Sequence, residues 1–160
     1  MFLKKDNNKG FTLIELLVAL SIFSVIVIGM TNTALSVMKG QRKAFSLQLV
    51  QESSRYILES MIKEIRMGVV NSSSGTTNSL NITNAAGGNV DYEFLGNKIR
   101  RNGQDFSSSK VKLTGEFYIR KNVFPNRALV TIIIKIESKE EKTEERSELY
   151  IQNSITSRSN

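Results

Sequence analysis

The amino-acid sequence predicts an α+β fold, in which one long N-terminal helix packs on an antiparallel β-sheet. Two observations carry this prediction. Residues 11–67 follow a helical pattern that is apolar nearly all round at first and on one face later. Short runs rich in β-branched and aromatic residues follow in residues 79–154, with glycine and asparagine between them.

These patterns divide the chain into three parts. Residues 1–10 are a basic leader, residues 11–33 an apolar helix, and residues 34–160 an α+β domain. The total of 160 residues is enough for one small domain and an extended element. We therefore expect the two halves of the helix to lie in different surroundings, lipid or packed helices first and a folded core second.

The composition narrows the possible chemistry. The chain has no cysteine and no histidine, which excludes disulfides, thiol nucleophiles, histidine bases and His/Cys zinc sites. The net charge is +7, of which the leader contributes +2, and the remaining +5 fits mild attraction to anionic surfaces but is too small for a dedicated nucleic-acid arm. We expect neither a cofactor nor a metal.

The apolar segment at residues 11–30 has the length of a membrane span. As a helix, these twenty residues cover about 30 Å, the thickness of the hydrocarbon core of a bilayer. Lys4, Lys5 and Lys9 precede it, and by the positive-inside rule they keep the N-terminus in the cytoplasm. We expect a single-pass protein of the inner (cytoplasmic) membrane with its C-terminal domain outside. An ordinary secretory signal and a plain signal anchor are the alternatives.

Glu15 argues against both alternatives. A carboxylate costs about 2.5–3.5 kcal/mol at the centre of a membrane helix and less near its end, so it usually has a partner. No lysine or arginine lies between Phe11 and Met38. Cleavage before Phe11 would create an α-amino group four residues from Glu15, on the same helix face. The two groups could then pair within one subunit or between neighbours.

The string KGFTLIELLVAL, with Gly10, Phe11 and Glu15 in matching places, resembles the signal of type IV prepilins and type II secretion pseudopilins. The resemblance implies a pilin-like fold, cleavage between Gly10 and Phe11 by a prepilin peptidase, and N-methylation of Phe11. It also implies that Glu15 acts when the subunit docks into a filament. The implied partners are membrane lipid before assembly, then the inner-membrane assembly platform and other minor and major pseudopilins of the pseudopilus.

The helix should continue through the polar residues that follow the span. Leu58, Met61, Ile62, Ile65 and Val69 form one apolar stripe, and Gly68 is a suitable stop. Gly29 and Gly40 are the two places where this continuous helix could be interrupted. Many major pilins carry proline where this chain has Asn32, which favours a minor component.

The second half of the chain predicts five or six short antiparallel strands. A Ser/Asn-rich loop at residues 71–89 surrounds a short strand at Ser79–Thr83. Further strands are predicted at residues 91–95, 98–101, 111–120, 128–136 and 148–154. We expect an irregularity at Gly115, a loop at residues 122–126 that holds the only proline, and a solvated hairpin end at residues 137–148.

This order of helix, polar loop and late long strands resembles the J-type minor pseudopilins of type II secretion. The resemblance implies a structural subunit in the tip complex that initiates assembly for protein secretion. The alternative is a minor pilin or competence pseudopilin of a type IV pilus, which acts in adhesion or DNA uptake. A basic face for DNA would use Lys98, Arg100, Arg101, Lys110, Lys112, Arg120 and Lys121. A solvated sheet surface explains these residues better, so DNA is an unlikely partner.

A membrane-tethered enzyme is the remaining alternative. Its candidate groups would be Asp91, Glu93, Asp105, Glu116 and the serines at residues 72–74 and 107–109. The sequence shows no nucleophile elbow, phosphate loop or metal cluster around them, so we expect no catalytic site. Calcium binding by Asp91 or Asp105 has no support from the loop spacing.

Overall fold

The computed structural model describes residues 10–123, 127–139 and 145–158. One helix, α1 (Leu13–Met67), begins after Thr12 and ends before Gly68. The described residues contain nine strands: β1 (Val69–Val70), β2 (Gly75–Thr77), β3 (Ser79–Thr83), β4 (Asn89–Leu95), β5 (Lys98–Arg101), β6 (Gln104–Asp105), β7 (Val111–Val123), β8 (Arg127–Ser138) and β9 (Glu148–Thr156). The predicted α+β class, a long helix packed on antiparallel sheets, is confirmed.

The chain divides into two compact units, with the boundary between Gln41 and Arg42. In the first unit, each described residue is exposed, although residues 16–30 carry no charge. The second unit contains the rest of α1, all the described strands and a hydrophobic core.

Two antiparallel sheets form the second unit. The five-stranded sheet has the order β1-β3-β4-β5-β6, and the four-stranded sheet has the order β2-β7-β8-β9. In the second sheet the long strands stay in register, with Phe117 opposite Ile132 and Ile134 opposite Ile151. The six predicted strands are confirmed as β3, β4, β5, β7, β8 and β9. The predicted total of five or six was too low, because it missed β1, β2 and β6, which have only two or three residues each. Such runs are too short to show a strand period in the sequence.

The core lies between the second half of α1 and the inner faces of both sheets. The predicted apolar stripe is confirmed at Leu58, Met61 and Ile65, which are buried, while Ile62 and Val69 are half-buried. From the sheets, the largest fully buried side chains are those of Tyr92, Phe117, Leu80, Ile82, Ile99, Leu113, Ile119, Ile132 and Ile134. Burial of this apolar surface is the main force that holds the unit together.

Three local predictions about glycine had different outcomes. Gly68 follows the helix end as predicted, whereas α1 passes through Gly29 and Gly40 without interruption. The irregularity predicted at Gly115 was wrong, since Gly115 pairs regularly with Ile134 and the register shifts only between Arg120 and Val123. Gly115 has another role, because an added Cβ would lie 2.5 Å from the Ile133 oxygen and 2.9 Å from the Phe94 ring.

The predicted solvated hairpin end between β8 and β9 is wrong for part of its length. Residues 140–144 lie outside the described residues, but Glu145 and Ser147 are buried. Glu145 forms an ion pair with Arg42 at 3.6 Å. The Ser138 hydroxyl accepts hydrogen bonds from the Ser147 N–H at 3.0 Å and from the Ser46 hydroxyl at 2.8 Å. These polar contacts attach the hairpin to α1, and they give the buried polar groups of the hairpin partners within the protein.

The loop predicted at residues 122–126 was placed slightly too early. Strand β7 continues through Val123, so the first two of these residues belong to a strand. Residues 124–126, which include Pro125, lie outside the described residues.

Candidate functional site

The predicted site residues Gly10 and Phe11 lie just before α1 and Glu15 lies in its first turn, where Thr12 and Glu15 form a capping box. The Glu15 N–H donates to the Thr12 hydroxyl at 3.2 Å, and the Glu15 carboxylate accepts from the Thr12 N–H at 2.9 Å. The Thr12 hydroxyl also donates to the same carboxylate oxygen at 2.9 Å. The first helical bond runs from the Leu16 N–H to the Thr12 carbonyl, so Thr12 is the N-cap.

Thr12 is a residue that the sequence reasoning missed. The pattern of threonine followed three residues later by glutamate, ahead of an apolar run, is the known signature of a capping box. The structure brings Glu15 together with Thr12, while the Phe11 side chain is 88% exposed. Glu15 thus already has partners in the uncut chain, in addition to any group that cleavage would create.

Gly10 is not required by the packing of the chain itself. It is exposed, and an added Cβ would meet no heavy atom within 4 Å. Any need for glycine at this position therefore comes from outside the described chain, for example from the cleft of a protease that needs an extended backbone without a side chain.

The apolar segment that follows Glu15 is exposed on all sides. α1 contains a stretch that is long and apolar enough to cross a membrane by length and composition. Within it, the hydroxyls of Ser21, Ser24, Thr31 and Thr33 donate to carbonyls four residues earlier, at 2.8–3.0 Å. These hydroxyls are satisfied within the helix, which lowers the cost of placing them in lipid or among other helices.

The comparison with known families addresses this same segment. A family model described as the Prokaryotic N-terminal methylation motif matches the chain at residues 5–31. The motif indicates a type IV pilin-like or pseudopilin precursor.

Several properties follow from the methylation motif. It implies processing by a prepilin peptidase and assembly with other pilin subunits. With the apolar helix, it suggests a membrane anchor, and it suggests a structural subunit more than an enzyme. No curated protein and no solved structure matches the chain.

A second polar cluster lies within the α+β unit, in a cleft of about 310 Å³ beside α1. The Glu64 carboxylate accepts from the Tyr92 hydroxyl at 2.8 Å and from the Arg101 guanidinium at 2.7 Å. The pKa of Tyr92 is raised far above its usual value, mainly by burial and to a smaller extent by the hydrogen bond to Glu64. The hydrogen bond to Glu64 raises the pKa of Arg101. Each polar group in this triad has a partner, so the cluster reads as a satisfied structural network.

The candidate groups for an enzyme are dispersed. Asp105 pairs with Lys98 and Arg100, and the hydrogen bond from Lys98 is the main reason that the Asp105 pKa is lowered. Glu93 and Glu116 lie on different sheets, opposite Ser79 and Ile133. Within the described ranges, no group of three acidic residues is arranged to hold a metal ion.

Three hydroxyls of the two serine runs accept hydrogen bonds from backbone N–H groups. The Ser72 hydroxyl accepts from the Asn81 N–H at 2.7 Å, and the Ser74 hydroxyl accepts from the Lys121 N–H at 3.1 Å. The Ser108 hydroxyl accepts from the Lys110 N–H at 3.3 Å. The Ser108 contact is local turn chemistry, whereas the Ser72 and Ser74 contacts join segments distant in sequence. The buried Ser107 hydroxyl has no hydrogen-bond partner among the described residues.

Several basic residues considered for DNA binding have partners within the protein. Lys98 and Arg100 pair with Asp105, and Arg101 pairs with Glu64. Neutralised side chains of this kind displace fewer counterions from a phosphate backbone, so they contribute less to binding.

Proposed function

We propose that this protein is a prepilin that is cut between Gly10 and Phe11, N-methylated at Phe11 and assembled through Glu15. The match of residues 5–31 to the methylation motif carries the proposal. Residues 1–10 are then the leader, residues 11–33 the membrane and filament segment, and residues 34–160 the external domain. The precursor is a single-pass inner-membrane protein with its N-terminus in the cytoplasm.

The proposal gives Glu15 two successive sets of partners. Before cleavage its carboxylate is bonded to Thr12. Cleavage adds a positive amine at Phe11, one residue before Thr12, and attraction between opposite charges strengthens in surroundings of low dielectric constant. The amine of the same subunit or of a neighbour then pairs with the carboxylate, which fixes a new subunit against the filament.

Replacement of Gly10 tests the cleavage step. We expect Gly10→Val to abolish cleavage in the native host, because a side chain would obstruct the peptidase, whereas the chain itself has room for it. Gly29→Ala is the matched control, since a Cβ there also meets nothing within 4 Å. Gel mobility and mass spectrometry of the N-terminus measure the outcome. A mature form of Gly10→Val that begins at Phe11 would contradict the proposal.

Replacement of Glu15 tests the assembly step separately. We expect Glu15→Gln to be cut and methylated normally but to be lost from sheared filaments, because the amide carries no charge. Thr12→Ser keeps the cap and serves as the control. Equal incorporation of Glu15→Gln and the original chain would refute a role of the carboxylate in assembly.

We further propose that the machine is a type II secretion system and that the subunit is a minor pseudopilin of the tip complex. Support comes from Asn32, where many major pilins have proline, and from the long late strands β7 and β8 of 13 and 12 residues. The partners would be other minor and major pseudopilins and the inner-membrane assembly platform. A minor pilin or competence pseudopilin of a type IV pilus remains the alternative function.

Deletion of the gene in the native host distinguishes the two machines. A type II secretion subunit should lower extracellular protein accumulation and leave DNA uptake and adhesion unchanged, with recovery on complementation. Normal secretion with defective DNA uptake or adhesion would instead support the type IV pilus alternative.

A further inference from the structure

The four edges of the two sheets differ greatly in length. The five-stranded sheet ends in β1 and β6, which have two residues each. The four-stranded sheet ends in β2, with three residues, and in β9, with nine. Short edges are a usual protection against unwanted pairing with other chains. Among the described strands, β9 is therefore the exception, because it is a long edge strand.

Among the described residues, no strand pairs with the outer edge of β9, so its backbone groups form a regular unpaired row there. The Ser157 N–H donates to the Ala128 carbonyl at 2.8 Å, which fixes the side of the strand that faces β8. Backbone groups alternate in direction along an antiparallel strand. The even-numbered residues of β9, among them Tyr150, Gln152 and Ser154, therefore point their N–H and carbonyl groups away from β8.

After its first residue, Glu148, the sequence of β9 lacks the features that usually block an edge. Between Leu149 and Thr156 there is no charged residue and no proline. On the core side, Leu149 and Ile151 are only partly buried and pack against the core. On the outer side, the Tyr150 side chain is 65% exposed. An added strand would cover Leu149 and Ile151 on the core side and the Tyr150 ring on the outer side, where the Lys135 Nζ lies 5.2 Å from the ring centroid, while its backbone satisfied the free edge.

We propose that β9 is an interaction surface that binds an extended, uncharged strand of a different subunit in the same assembly. The partner strand would have apolar side chains at alternate positions, next to Leu149 and Ile151, and it would extend the four-stranded sheet to five. The geometry of β9 carries this inference, and only the choice of a filament subunit as partner rests on the proposed function.

A second copy of this chain does not fit the β9 edge. β9 is the only edge strand longer than three residues among the described strands, so the pairing of two copies that these edge strands favour is β9 with β9. Self-pairing of edge strands about a twofold axis is antiparallel. Within the α+β unit, α1 runs in the same direction as β9, from the Ser46–Ser138 contact to the bond between the Gly68 carbonyl and the Arg158 N–H. Two such copies would have opposed helices, whereas copies anchored by the same N-terminal segment share one direction.

Photocrosslinking of the full chain in its native host tests the surface. The photoreactive amino acid benzoylphenylalanine replaces Tyr150 in one variant and Thr76, on the short edge strand β2, in a control. We expect an adduct from position 150 that holds one copy of this chain and one different pilin-like subunit, identified by mass spectrometry. Position 76 should give no such adduct.

A proline at the free edge tests whether backbone pairing is responsible. Gln152→Pro removes an N–H that points away from β8, and we expect it to reduce the adduct about tenfold, the effect of about 1.4 kcal/mol. Gln152→Thr keeps the N–H and should leave the adduct unchanged. Gln152→Lys keeps the backbone N–H but adds a charge at the edge, and it should also reduce the adduct. If circular dichroism shows that the proline variant is misfolded, the yield of adduct from Gln152→Lys is the test instead.

Three outcomes would overturn the proposal: no adduct above the level of position 76, an adduct of two copies of this chain, or an adduct that resists both Gln152→Pro and Gln152→Lys. Cleavage at Gly10 is followed in the same samples. An adduct formed by a chain that is not cut at Gly10 would still support the β9 interaction surface, but it would contradict the proposed cleavage between Gly10 and Phe11.

Discussion

At the scale of single residues, two glycines show that the same residue type can be required for different reasons. Gly115 lies under the Phe94 ring and beside the Ile133 carbonyl, with no room for a Cβ. Gly10 has open space around it. The first glycine is therefore required by the fold, whereas a requirement for the second must come from a partner.

Gly115→Ala should destabilise the α+β unit by about 1–3 kcal/mol, because overpacking forces the sheet or the Phe94 ring to move. Gly40→Ala is the control, since Gly40 is exposed within α1 and alanine there should stabilise the helix by about 0.5–1 kcal/mol. Thermal unfolding of both full-length variants in detergent, followed by circular dichroism, measures the changes. An unchanged melting temperature for Gly115→Ala would show that the close approach is not restrictive.

Tyr92 makes stability depend on pH in the alkaline range. Its pKa is raised in the folded chain by burial and by the bond to Glu64. The unfolded chain therefore loses this proton first, above about pH 10, while the folded chain keeps it. The stability that Tyr92 contributes is present below that pH and is lost as the pH rises toward the folded pKa.

The comparison with Tyr92→Phe isolates this effect, because the other titrating groups are shared. We expect the original chain to be more stable than the variant at neutral pH, and the difference to shrink above about pH 10 by up to 1.4 kcal/mol per pH unit. Urea unfolding at several pH values measures it. A difference that stays constant up to pH 11 would contradict the assigned environment of Tyr92.

At the scale of secondary structure, the start of α1 depends on the Thr12–Glu15 box. Thr12→Val removes the hydroxyl but keeps a similar shape, and loss of an N-cap costs about 1 kcal/mol. We expect the amides of the first helical turn to exchange with solvent about fivefold faster in the uncut chain in detergent, measured by NMR. Ser21→Ala, which removes a hydroxyl bonded within α1, should leave that first turn unchanged.

The elements differ in how far the sequence alone could predict them. α1 and the long strands β7, β8 and β9 were predictable, because many residues repeat one period. The two- and three-residue strands were not, since their pairing depends on neighbours distant in sequence, such as Gly75 with Ile119. The role of Gly115 required knowledge of where Phe94 lies. Thr12, by contrast, had a recognisable local signature at the candidate site.

At the scale of the whole molecule, the unit that begins at Arg42 has its own core and both sheets. A chain truncated to begin at Arg42 should fold cooperatively without detergent, because it omits the exposed apolar segment and keeps Val50, Ile57 and Met61. A chain that begins at Ile57 loses Val50 and Ser54 and should unfold at a clearly lower temperature. Calorimetry measures both, and equal melting temperatures would show that the first turns of this unit add nothing.

The back-bonded hydroxyls of the apolar segment have a mechanical consequence. Ser21, Ser24, Thr31 and Thr33 direct their hydroxyl protons to their own helix, and residues 16–30 carry no charge. Two such helices side by side would have neither a charge nor a free hydroxyl proton to bond across residues 16–30, so only the packing of apolar side chains would set their axial register. In the assembly proposed above, the Glu15 carboxylate at one end of this segment would therefore fix the axial spacing between neighbouring subunits.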